Sequence, residues 1–193
     1  MRAGLLALAL LLAAAAWAGT PLVQALPNGF RVITQPTTSA QVVSMTLLVN
    51  FSAPDEPMEF AGLRQVLLTS MLHGSQTLDG AAIRRTLARC GGTLEGRVHQ
   101  DALEFTARVP AGAMEVALRA LGEIVCHPRL SDESVAAAVE QAERQLLTEP
   151  LRALEYADRL AEVNLYANHP YMFRGQGSRS GLRNVRATAV RWA

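Results

Sequence analysis

Hydrophobic positions recur every second residue along 42–51, where Val43, Met45, Leu47, Val49 and Phe51 share one face. The other face mixes Ser44, Thr46 and Asn50 with Val42 and Leu48, so the segment reads as a strand packed on one side and partly wet on the other. A shorter strand is predicted from Phe30 to Gln35, after the turn residues Pro27-Asn28-Gly29, with a second turn at Pro36 to Ser39. The period then changes. Met58 to Leu72 carries Leu63, Val66, Leu67 and Met71 at helical spacing, and His73-Gly74-Ser75 closes it. Leu78 to Arg89 is a second helix, ended by Gly91-Gly92. Thr93 to Val98 and Leu103 to Val109 form a hairpin, in which Leu103, Phe105, Ala107 and Val109 alternate with Glu104, Thr106 and Arg108.

The rest of the chain is helical. Gly112 to Val125 presents Val116, Ala117, Ala120, Leu121 and Ile124 on one stripe and stops at His127-Pro128. Ser131 is an N-cap, and Asp132 and Glu133 follow it in the first turn, where the helix dipole favours acids. That helix runs to about Thr148, and Pro150 separates it from another over Leu151 to Tyr166. A loop through Asn168-His169-Pro170 leads to a last helical start at Leu182, and Gly175-Gln176-Gly177 reads as a flexible part of it. Four strands fit for antiparallel pairing, with helices on one face, predict an α+β sandwich.

The first eighteen residues stand outside this pattern. Arg2 precedes an unbroken Leu/Ala run from Leu5 to Ala16, and Ala16-Trp17-Ala18 places small residues at a cleavage site. The run is shorter than the ~20 residues a bilayer span needs, so residues 1–18 are expected to be a signal peptide, residues 19–193 a single exported domain, and the compartment a periplasm. The 18 basic and 17 acidic residues balance, which points to neither nucleic acid nor an acidic membrane surface. All 18 basic residues are Arg. Arg84, Arg85 and Arg89 line one helix as a solvated face. Cys90 and Cys126 in an exported chain permit a disulfide, but two buried thiols are the expectation.

Leu26-Pro27-Asn28-Gly29-Phe30-Arg31-Val32, then Asp55-Glu56-Pro57 with Gly62-Leu63, Gly74-Ser75, Gly91-Gly92-Thr93-Leu94 with Asp101 and Phe105, His127-Pro128, and Asn168-His169-Pro170-Tyr171 with Gly177-Ser178 follow one another in an order that resembles the N-terminal domain of the M16 (insulinase, or pitrilysin) peptidases. The resemblance implies an antiparallel sheet with helices packed on one face. It also implies a domain shortened at its C-terminal end, stopping at Trp192-Ala193 before the family's final strand.

Active members of that family carry H-x-x-E-H on the first long helix. Histidines four apart face one way and chelate zinc, and the Glu between them is the general base for the metal-bound water. Placed without a gap between Gly62-Leu63 and Gly74-Ser75, the motif falls on Gln65, Leu68 and Thr69. None of the three can do the corresponding work. The resemblance leaves open whether Glu140, Glu143 or Glu149 corresponds to the third ligand. His73, His99, His127 and His169 are scattered, with no i, i+4 pair among them.

The expectation is therefore a non-catalytic relative without zinc. It would enclose an extended peptide or serve as a scaffold, beside a zinc-bearing M16 subunit. The alternatives are a zinc metalloendopeptidase whose site is rebuilt or completed by a partner, a remnant that does not fold stably, and an unrelated α+β binding domain.

Overall fold

The structure is a computed structural model that describes residues 20–37, 40–148, 153–173 and 175–193. The expected signal peptide, the end of the turn at Pro36 to Ser39, Glu149, Pro150 and Leu151 lie outside the described residues. The chain divides into two compact units, Met1–Gln41 and Val42–Ala193.

The described part of the first unit is a hairpin. Strand β1 (Leu22–Ala25) pairs antiparallel with β2 (Arg31–Thr34), Leu22 opposite Thr34 and Ala25 opposite Arg31. The turn is the one that Pro27-Asn28-Gly29 announces. Gly29 takes φ +84°, and the Asn28 side chain accepts a bond from the Phe30 N–H at 3.1 Å. Strand β1 has no alternating apolar pattern and all four residues are exposed, so the period-two signal passed over it.

The second unit holds a three-stranded antiparallel sheet of order β3-β5-β4, formed by β3 (Val42–Val49), β4 (Thr93–Val98) and β5 (Leu103–Pro110). The four strands expected in one sheet are thus five strands in two sheets among the described residues, and the α+β class with antiparallel pairing and helices on one face stands.

The helices are α1 (Leu63–Leu72), α2 (Gly80–Arg89), α3 (Met114–Cys126), α4 (Asp132–Thr148), α5 (Ala153–Leu165), α6 (Arg179–Asn184) and α7 (Ala187–Trp192). Leu68 and Met71 of α1 join Ile83 and Leu87 of α2, Phe105 and Val109 of β5, and Leu121 and Ile124 of α3 in one core. Leu63 and Val66, on the other side of α1, join Val135, Ala138 and Ala142 of α4 with Leu182 and Val190 of the last two helices in a second core. Helix α1 is therefore buried on both sides and carries its polar residues in the narrow seam between.

Helix α1 starts later than its spacing predicts. Met58–Phe60 is a single 3-10 turn, and Gly62 follows at φ +115°, a conformation that no α-helix can pass through. A Cβ on Gly62 would also meet the Leu182 side chain at 2.5 Å. The Gly175-Gln176-Gly177 segment is packed against the fold. Gly177 is buried at φ +75°, and a Cβ there would lie 2.3 Å from the backbone of Ala61 and Gly62. Only glycine allows that approach, and sequence periodicity carries no sign of it. Cys90 is half-buried and Cys126 exposed, and both are free thiols, so neither the disulfide nor the pair of buried thiols describes them.

Candidate functional site

The three positions that the resemblance assigns to the zinc motif lie together on α1. Gln65 is half-buried, Leu68 is 2 % exposed and Thr69 is 5 % exposed. Gln65 and Thr69 stand one helical turn apart on one face, where two ligands would converge. The Gln65 amide instead donates to Thr69 Oγ1 at 3.1 Å, so the two side chains satisfy one another. Leu68 points into the first core, over Gly96 of β4: a Cβ on Gly96 would lie 3.1 Å from Leu68 Cδ1 and 2.9 Å from Leu72 Cδ1. The missing side chain on β4 is what lets α1 seat so closely on the sheet.

Zinc wants nitrogen, thiolate or carboxylate donors. An amide bonded to a hydroxyl and an aliphatic side chain held in the core do not fit that ion. No group of three or more His, Cys, Asp or Glu side chains among the described residues is arranged to hold a metal. Of the candidate third ligands, Glu140 is exposed and paired with Arg144 one turn on, and Glu143 lies 4.0 Å from Arg183. Glu149 lies outside the described residues. The structure adds Gln141, whose Oε1 is 3.3 Å from His73 Nε2 and ties the end of α1 to α4. Arg84, on the expected basic face, donates to the Leu72 carbonyl at 3.1 Å and so caps the C-terminus of α1. The remaining histidines stay apart: His99 contacts Glu104, and His169 Nδ1 accepts from the Tyr171 N–H.

The most heavily built feature of α1 lies at its N-terminus, where the Asp55-Glu56-Pro57 segment meets Gly62-Leu63. Glu56, 6 % exposed, accepts from the N–H groups of Gly62 at 2.8 Å and Arg64 at 3.0 Å through one carboxylate oxygen, which satisfies two of the orphan donors of the helix N-terminus. Its other oxygen is 3.3 Å from Nε of Arg64, a side chain with no exposed surface. Arg64 Nη1 donates on to the carbonyls of His99 at 2.6 Å and Gln100 at 3.2 Å, in the turn between β4 and β5. The same turn receives the Ala53 N–H at Gln100 O, and Asp101 accepts from the Tyr171 hydroxyl at 2.5 Å. That hydroxyl's pKa is raised, first by its bond to Asp101. The loop before α1, the Asn168-to-Tyr171 loop and the end of β4 are therefore locked to one turn. The Asp55-Glu56-Pro57 and Gly62-Leu63 segments stand out in the sequence, but nothing there pairs Glu56 with Arg64.

On the sheet face away from α1, Glu104 accepts from Thr106 at 2.8 Å and lies 2.8 Å from His99 Nε2. The Thr106 bond first, then His99, lowers the Glu104 pKa. A depressed folded-state value means that this contribution to stability is present above the ordinary carboxylate range and is lost as pH falls through the folded value. Thr106→Val should move the Glu104 titration back up toward the ordinary range, as read from its side-chain carboxyl signal in an NMR pH titration.

The fold and this helix are those of a peptidase-like α+β domain. Over residues 31–165 the chain matches the insulinase (peptidase family M16) family, and it belongs to that family. Among solved structures it is similar to a protease from Helicobacter pylori (TM-score 0.81, 15 % identity), over 90 % of this chain and 42 % of that one. It is similar to the periplasmic protease PqqL from Escherichia coli (TM-score 0.79, 15 % identity), over 89 % of this chain and 20 % of that one. A third is a peptidase M16 inactive domain from Pseudomonas fluorescens (TM-score 0.78, 15 % identity), over 90 % of this chain and 42 % of that one. The chain thus spans less than half the length of these structures. No curated protein matches it by sequence.

Proposed function

We propose that this chain is a non-catalytic M16 domain that binds no zinc and holds an extended peptide, working outside the cytoplasm beside a zinc-bearing M16 subunit. The observation that carries the reading is Leu68. At the position where an active relative needs a proton acceptor, the side chain is aliphatic and buried over Gly96. The neighbouring Gln65–Thr69 bond supports it, since a ligand pair would have to break that contact to form. The peptide-holding role rests on β4, which among the described residues has only β5 as a strand neighbour and so offers its other edge for strand addition.

Export is supported by the leader-like residues 1–18 and by the periplasmic location of the PqqL protease. No helix among the described residues is long and apolar enough to cross a membrane. A zinc-bearing partner belongs to the reading because hydrolysis in this family uses the metal and these residues do not fit it. The test is to incubate the purified protein, after exposure to zinc, with an unstructured peptide. Binding without cleavage is expected, with no metal retained. Cleavage by the isolated chain would instead favour a rebuilt site.

A further inference from the structure

Resting on the peptide-holding role of β4, we infer that its edge selects an extended peptide with an acidic, an apolar and a basic residue in succession. The His99 N–H donates to Ala102 O at 2.8 Å and closes the β4–β5 turn. Along an antiparallel ladder, bonded and non-bonded pairs alternate. In the observed register the pairs Arg97/Glu104, Glu95/Thr106 and Thr93/Arg108 therefore exchange main-chain bonds with β5, while Leu94, Gly96 and Val98 turn their N–H and C=O groups to the open edge.

The far end of that edge is blocked. A Cβ on Gly175 would lie 2.5 Å from Val98 Cγ1 and 3.0 Å from Val98 O, so Gly175 itself covers Val98, and the proposed ligand is taken to lie along residues 93–97. An added peptide would bond its main chain to Leu94 and Gly96. Its residues opposite Glu95 and Arg97 would then fall in non-hydrogen-bonded pairs, where facing side chains come closest.

Glu95 and Arg97 are available for such pairs. Their side chains are 50 % and 68 % exposed, on the face away from α1, and they meet each other only at 4.0 Å. Charge complementarity places an acid opposite Arg97 and a base opposite Glu95. The residue between them lies opposite Gly96 and turns to the other face, where Leu68 and Leu72 cover the glycine, so it is apolar. Every pairing in this sheet is antiparallel. A peptide running the same way meets Arg97 first, which gives the order acid, apolar, base from its N-terminus.

The experiment compares fluorescein-labelled, end-blocked peptides that share flanking residues and differ in a central Glu-Leu-Arg, Arg-Leu-Glu or Gln-Leu-Gln, by anisotropy at low salt. Glu-Leu-Arg should bind on the order of tenfold more tightly than Arg-Leu-Glu, with Gln-Leu-Gln between, since two cross-strand pairs change sign. The doubly exchanged variant Glu95→Arg with Arg97→Glu, whose fold is checked by circular dichroism, should reverse the preference. Equal binding of all three peptides, or a wild-type preference for Arg-Leu-Glu, overturns the inference and leaves the peptide-holding role intact. Binding of none of them, nor of a mixed library of unstructured peptides, removes both.

Discussion

Glu56→Gln should destabilise the protein by about 3–5 kcal/mol, the cost of leaving a buried charge without its partner. Arg64 has no exposed surface, and the carboxylate that faces its Nε also accepts the two N–H groups at the start of α1. Gln keeps the shape and one acceptor oxygen but removes the countercharge. Arg64→Met alone should be similarly damaging, because Glu56 would then be the uncompensated ion. Replacing both by apolar residues, Glu56→Leu with Arg64→Met, should cost less than the two single losses together, since neither ion is left uncompensated, yet stay below wild type, because the Gly62 and Arg64 N–H groups and the His99 and Gln100 carbonyls lose their partners. Urea unfolding of Glu56→Leu, Arg64→Met and their double variant gives the coupling directly. Additive losses would mean that the two side chains act independently and that the lock on the β4–β5 turn is not a unit.

Leu68→Glu should cost at least about 3 kcal/mol and lower the melting temperature by about 10 °C or more, because it drives a carboxylate into an apolar core with no partner. Leu68 contacts the sheet over Gly96, within the core that holds Phe105 and Ile124. Leu68→Ala separates charge from volume: it should cost about 2–5 kcal/mol through the cavity alone. A Leu68→Glu protein as stable as the wild type, by thermal denaturation, would mean that the position opens to water and that a catalytic carboxylate could sit there.

Much of this was legible from the chain itself. Val43 to Phe51 alternate cleanly because β3 has one packed face, and the Thr93-to-Val109 hairpin shows its register through Leu103, Phe105, Ala107 and Val109. The positions of Gln65, Leu68 and Thr69 follow from a gapless count between two glycine landmarks, and the structure sets all three on α1. The start of α1 was not legible. Met58 to Gly62 keeps helical spacing, yet Gly62 adopts a left-handed backbone to let α6 approach, and that demand comes from Leu182, more than a hundred residues away. The same holds for Gly175 and Gly177, whose glycines answer to neighbours distant in sequence. The Arg64–Glu56 pair was hidden for a related reason: a charged residue inside an apolar-spaced helix reads as surface until its partner is known. Leu22–Ala25 was missed because an exposed strand carries no periodic signal.

Zinc content is the most direct test of the central claim, that α1 has exchanged a metal site for packing. The purified protein is incubated with excess zinc, dialysed against buffer with trace zinc, and its metal measured by inductively coupled plasma mass spectrometry against protein concentration. A ratio near zero is the predicted result, and it directs the search to a zinc-bearing subunit. One zinc per chain retained through dialysis would contradict the account, since Gln65, Leu68 and Thr69 could not be its source.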